Sequence, residues 1–168
     1  MRICHPAALP IAFGLAMAAI LLQPVSAAAQ PAQAETSHQE AAVEALFMDG
    51  IAAFNRHDLD VFLRQFAPDI AMYTPTGWLR GGDAVRERFV WTLANFPTVR
   101  IEIENLKARQ VGADTMVVDF NWRTFPRGEG PAFHGVGSGV YVQRAGRWVE
   151  VLEHETVVRI DPGATGPR

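Results

Sequence analysis

The chain has 168 residues, a formal net charge of −3 at pH 7 and one cysteine, and 49% of its residues are hydrophobic. Arg80, Arg86, Arg88, Arg100, Lys107 and Arg109 are interspersed with Asp83, Glu87, Glu102 and Glu104. No positive stripe is therefore available to neutralise phosphates, which excludes nucleic acid as a partner.

Residues 1–29 read as an export leader, with Arg2, an apolar run over 7–22, and the small residues Ser26, Ala27, Ala28 and Ala29 suited to cleavage. The alternative, an uncleaved anchor, is opposed by Pro10 and Gly14 and by a run shorter than the roughly 20 residues that span a bilayer. Cleavage removes Cys4 and with it any disulfide, thiol nucleophile or thiolate ligand. The expected product is exported, periplasmic or secreted, and free of the membrane. About 139 residues remain, enough for one domain. Residues 30–37 read as a flexible linker, 38–158 as the domain, and 159–168 as a disordered tail.

Ser37 and Glu40 have the spacing of a capping box, predicting a helix start. Val43, Leu46, Phe47, Gly50, Ile51 and Phe54 continue it as one apolar stripe, and Gly50 within the stripe predicts close approach of another backbone. Asp58 is placed to cap a short second helix that Pro68 ends. A strand over 70–73, a turn over 75–77, a returning strand over 78–80 and a third helix with Val85, Phe89, Leu93 and Phe96 follow. Beyond Pro97 the period falls to two. Val99, Ile101 and Ile103 alternate with charged residues, and Met116, Val118, Phe120 and Trp122 repeat the pattern. Strands over 133–144 and 147–158 close an α+β domain, three helices on a curved antiparallel sheet.

The run from Ala52, Ala53, Phe54 and Asn55 through Asp58, Leu59 and Asp60, with Phe66, Ala67 and Asp69, Pro75 and Gly77, Gly81 to Val85, and Gly146, Arg147 and Trp148, resembles the cone-shaped nuclear transport factor 2-like superfamily. That superfamily includes ketosteroid isomerases and SnoaL-like domains. The resemblance implies a cone whose open end holds a small molecule. Steroid isomerisation needs a carboxylate base and two oxyanion donors, and the matching positions here are Thr74, Gly50, and Ser138 or Gly139. None can do that work. SnoaL-like exported domains often carry two histidines on the last strand; here those positions hold Leu152 and His154.

The two comparisons imply opposite faces for that strand. With Trp148, Glu150, Leu152 and His154 inward, Glu153 and Glu155 face outward; a one-residue slip reverses this. The first parity is favoured because Trp148 and Leu152 suit exposure worse than short valines. It makes His154 the acid/base candidate, against a structural histidine at the pocket wall. Thr74, Trp78, Phe120, Trp122, His134 and Ser138 are the expected ligand-contacting residues, and Gly135, Gly137 and Gly139 would flatten the outer face, where a second copy could dock. No nucleotide or metal motif is present, so no cofactor and no metal are expected. Glu153, His154 and Glu155 cannot share an ion, because alternate strand residues point apart. The expected activity is binding of a small apolar or aromatic molecule, with cofactor-free isomerase, dehydratase or cyclase chemistry if it is an enzyme. The alternative is a non-catalytic association module whose cone is filled.

Overall fold

The computed structural model describes residues 29–164; the leader lies outside them except for Ala29. Helix α1 (Ala29–Asn55) leads through Asp58 into a one-turn helix α2 (Leu59–Phe62) and a tight turn, Leu63–Gln65. Strands β1 (Phe66–Thr74) and β2 (Gly77–Arg80), helix α3 (Gly82–Asn95), and strands β3 (Arg100–Gly112), β4 (Thr115–Phe125), β5 (Phe133–Arg144) and β6 (Arg147–Ile160) follow. The six strands form one sheet in the order β2-β1-β6-β5-β4-β3, with the helices over its concave face. No described helix is long and apolar enough to cross a membrane.

Three local expectations hold. The Asp58 carboxylate accepts from the Val61 amide at 3.1 Å, capping α2. The alternating apolar residues of β3 and β4 face the helices, and β5 has the predicted bounds.

Other expectations are corrected. Helix α1 runs through Ser37, so 30–37 is helix rather than linker, and Glu40 does not close a capping box. Its carboxylate accepts from the Gln110 amide at 3.0 Å, and Glu44 accepts from Ala108 at 2.9 Å, which pins α1 to β3. The sheet is not wholly antiparallel, because β1 runs parallel to β6. Pro68 lies inside β1, in the interval where pairing with β6 shifts register, as a residue with no amide proton requires. The predicted tail is structured as far as Ala164: β6 extends to Ile160, and the Asp161 amide donates to the Ala132 carbonyl at 3.0 Å.

The core has two parts. One gathers Val43 and Phe47 of α1 with Met116, Val118, Phe120 and Tyr141 of the sheet. The other gathers Phe54, Phe62, Phe66, Ile70, Met72 and Val85, with Phe62 and Phe89 in edge-to-face contact at 4.7 Å. Between them, Asn55 at the end of α1 exchanges two hydrogen bonds with the Ile101 backbone, both 2.8 Å, fixing α1 against β3.

Gly50 admits a close neighbour, as the sequence predicts, but the neighbour is a side chain. A Cβ at position 50 would lie 2.4 Å from Gln65 Nε2. Gln65 is buried and held at both ends, donating to Phe62 O at 3.2 Å and accepting from Tyr141 Oη at 3.2 Å. Gly50→Ala should therefore destabilise the fold by about 1–3 kcal/mol, read as a lower urea midpoint, even though alanine gains about 1 kcal/mol of helix propensity. A raised midpoint would show that Gln65 is free to move.

Candidate functional site

The site is made by one extra residue in β6. Tyr141 of β5 pairs with Glu150, but the preceding Val140 pairs with Leu152, so Val151 is a bulge. Before the bulge Trp148 and Glu150 face the helices. After it the faces exchange, and Glu153, Glu155 and Val157 follow Glu150 onto the concave side. Glu150 is fully buried, Glu153 nearly so and Glu155 half-buried. Neither single parity expected from the sequence is correct, because each describes one side of the bulge.

The three carboxyls line a hollow in two connected parts. The inner chamber, about 140 Å³, has walls that include Phe47, Phe54, Phe89, Phe120 and Trp122, with Glu150 and Gln65 among its few polar groups. The outer vestibule, about 370 Å³, includes Trp91, Phe96, Pro126 and Phe133. Arg88, Thr92, Val99, Thr124 and Glu155 line both parts and form the neck between them.

Burial against these walls disfavours ionised carboxylates. Desolvation pushes Glu150 up to about 8, opposed in part by the Tyr141 hydroxyl, which lies 3.0 Å from Glu150 Oε2. Desolvation, then repulsion from Glu150 and Glu155, holds Glu153 well above the usual carboxylate range. Glu155 is pushed up to about 7 by desolvation, with Arg88 pulling the other way. Tyr141 is itself raised by burial and by the neighbouring glutamates. Glu150 Oε1 is buried and has no hydrogen-bond partner. It lies over Gly139, where a Cβ would come within 2.1 Å of it. Among the described residues no cluster of His, Cys, Asp and Glu is placed to hold a metal ion.

The structure divides the sequence-predicted residues. Phe120 and Trp122 are chamber walls, and Thr74 lines the chamber with its hydroxyl directed to Gly77 O at 3.0 Å. His154 is outside: it is exposed, packs its ring 5.1 Å from that of Tyr73, and lies 3.3 Å from the Thr156 hydroxyl. Trp78 is 52% exposed, packs its ring tilted at 5.0 Å from that of Tyr73 and under Arg80, and lines neither part of the hollow. Ser138 pairs with His154 and shares with it a shallow recess beside Asp119 and Asn121, away from the chamber. His134 bonds Asp161 at 3.0 Å and takes no part in the hollow. The glycine row faces inward instead of leaving the outer face flat. Trp122 lies over Gly135, Phe120 over Gly137 and Glu150 over Gly139, each within 2.3 Å of where a Cβ would be.

The glutamates were missed because they occur at spacings of three and then two, which no regular strand places on one face. The available signal was the conflict between the two parities, which an inserted residue resolves.

A SnoaL-like domain model matches residues 43–151, and the chain belongs to that family. No curated protein matches the sequence. Among solved structures, a nuclear transport factor 2-like protein of unknown function from Pseudomonas putida superposes with a TM-score of 0.66 at 16% identity, covering 71% of this chain and 87% of that one. A candidate scytalone dehydratase from Novosphingobium aromaticivorans gives 0.64 at 13% identity, covering 80% and 90%. The association domain of C. elegans CaMKII gives 0.60 at 18% identity, covering 73% and 98%. These likenesses show a nuclear transport factor 2-like fold.

Carboxyls whose folded pKa is raised bind protons that the unfolded chain has released, so they destabilise the fold as pH rises. The stability contributed by Glu150 should be greatest below the ordinary glutamate value of 4.5 and fall until pH passes about 8, where it ionises in the folded state too. Glu150→Gln should flatten this slope and raise the melting temperature at pH 8, an effect on the order of a few kcal/mol, measured by thermal melts across pH 5–9. A slope of opposite sign would mean that the carboxyls are ionised in the fold.

Proposed function

We propose that the protein is an exported domain that binds a small apolar or aromatic molecule in the two-part hollow, and that glutamates of β6 perform cofactor-free acid/base chemistry there. The observation that carries this reading is the alignment of Glu150, Glu153 and Glu155 by the Val151 bulge along one side of an apolar hollow. A chamber of about 140 Å³ is close in size to the dry cavity of about 150 Å³ known to take benzene. The larger vestibule leaves room for a substituent. Glu155, at about 7, is poised to take a proton near neutral pH, while Glu150, at about 8, holds one to give. The likeness to a candidate dehydratase supports this class of chemistry. Export rests on the leader pattern in residues 1–29.

Thermal-shift measurements with single-ring aromatics should raise the melting temperature. Thr92→Phe, at the neck, should abolish the shift while the free variant still melts cooperatively. For whichever ligand turns over, Glu155→Gln should lower kcat by about a hundredfold or more with binding retained. Failure of every aromatic to bind would overturn the reading; binding with turnover unchanged in Glu155→Gln would remove the acid/base part alone.

A second reading, self-association, has its own support. Tyr73, Trp78, Val136 and Leu152 are exposed on β1, β2, β5 and β6, and an association domain shares the fold. The proposed partner is a second copy of this chain, docked on that aromatic face. Sedimentation should give a dimer that Trp78→Glu and Leu152→Glu convert to monomer; a monomeric parent protein would exclude it.

A further inference from the structure

The hydrogen-bonding groups of the inner chamber are unbalanced. Tyr141 has one hydroxyl proton, and both atoms within its reach, Gln65 Oε1 and Glu150 Oε2, are acceptors. The Thr74 hydroxyl is engaged with Gly77 O and Thr76. Thr92 donates to Arg88 O at 2.9 Å, and Trp122 Nε1 donates to Val136 O at 3.3 Å. Gln65 Nε2 donates to Phe62 O and is pressed over Gly50. Arg88 and Thr124 line the neck, not the inner end alone. What remains inside is carboxyl: Glu150 and Glu153 are near enough to hydrogen-bond to each other, and no other group donates to the buried Glu150 Oε1. A buried carboxyl oxygen left unsatisfied costs free energy that a ligand donor can recover.

We propose that the inner chamber takes the protonated amino group of a small arylalkylamine, bound to the Glu150 carboxylate with its ring against Phe120 and Trp122. This rests on the ligand-binding reading above and specifies its chemical class. On binding, the neutral Glu150 carboxyl loses its proton to solvent, an ammonium carrying three donors enters, and a charge-assisted pair forms in place of the orphaned oxygen. One proton leaves for each cation taken up, so the charge inside the chamber is unchanged. A carboxylate ligand is disfavoured by the same desolvation that keeps these carboxyls protonated, and among the lining residues only Arg88, at the neck, is positive. The groups facing Glu150 are Tyr141 of β5 and Gln65 of the tight turn, Glu153 and Glu155 of β6, and Arg88 of α3. Apart from hydroxyls, the other elements contribute mainly apolar walls.

Isothermal titration of the protein at pH 7 with benzylamine, benzyl alcohol and benzoate, in two buffers of different ionisation enthalpy, tests this. Benzylamine should bind at least about tenfold more tightly than benzyl alcohol, with proton release, and benzoate should be the weakest. Benzylamine affinity should rise from pH 6 to pH 8. Glu150→Gln, once its cooperative melt has been verified, should remove the preference and the proton release. If benzyl alcohol binds as well as benzylamine, or if the preference persists in Glu150→Gln, the inference is overturned and the aromatic-binding reading stands. If none of the three probes binds at millimolar concentration, both fall.

Discussion

The constraint on which the site depends is the desolvation of carboxyl groups that the backbone turns inward. An ionised carboxylate in an apolar cavity costs more than folding can sustain unless it is paired or protonated. This molecule supplies little pairing: the Tyr141 hydroxyl and the neighbouring Glu153 for Glu150, and Arg88 at the neck for Glu155. The carboxyls therefore hold their protons, and groups that would be fixed charges on a surface become proton carriers near neutrality. The Val151 bulge causes this, because without it Glu150 and the later glutamates would lie on opposite faces.

The surrounding architecture accommodates that choice. Gly139 leaves the space that Glu150 occupies, and Gly135 and Gly137 do the same for Trp122 and Phe120. Large side chains thus lie flat across the middle of β5 and close one wall of the chamber without filling it. Gln65 joins the other wall to Tyr141, and its packing over Gly50 links the interior of α1 to the same network. Helix, turn and sheet meet at one buried hydrogen-bond chain, so a perturbation at position 50 reaches the acid/base group through two side chains.

Local patterns in the sequence exposed most of the fold. The apolar stripe of α1, the Asp58 cap and the alternation in β3 and β4 depend on neighbours a few residues away and on one buried face. What the sequence concealed depends on pairing between distant strands. The parallel β1–β6 contact, the use of Glu40 by β3 and the face of β5 were not written in any short window. For the site, Phe120 and Trp122 were legible as walls because their alternation is regular. His154 and Ser138 were assigned inward by extending that regularity through β5 and β6, where a bulge and an inverted glycine face break it.

The bulge also leaves the chemistry of the interior indifferent to the residue that forms it. Loss of the single codon for Val151 would restore ordinary pleating beyond Glu150, and Glu150, Glu153 and Glu155 would then alternate on the enclosed face with Leu152 and His154 outside it. The acidic lining would survive the loss of the residue that bends the strand. Within this architecture the enclosed set depends on whether an extra residue is absorbed as a bulge or by a slip of the whole strand, and not on its presence.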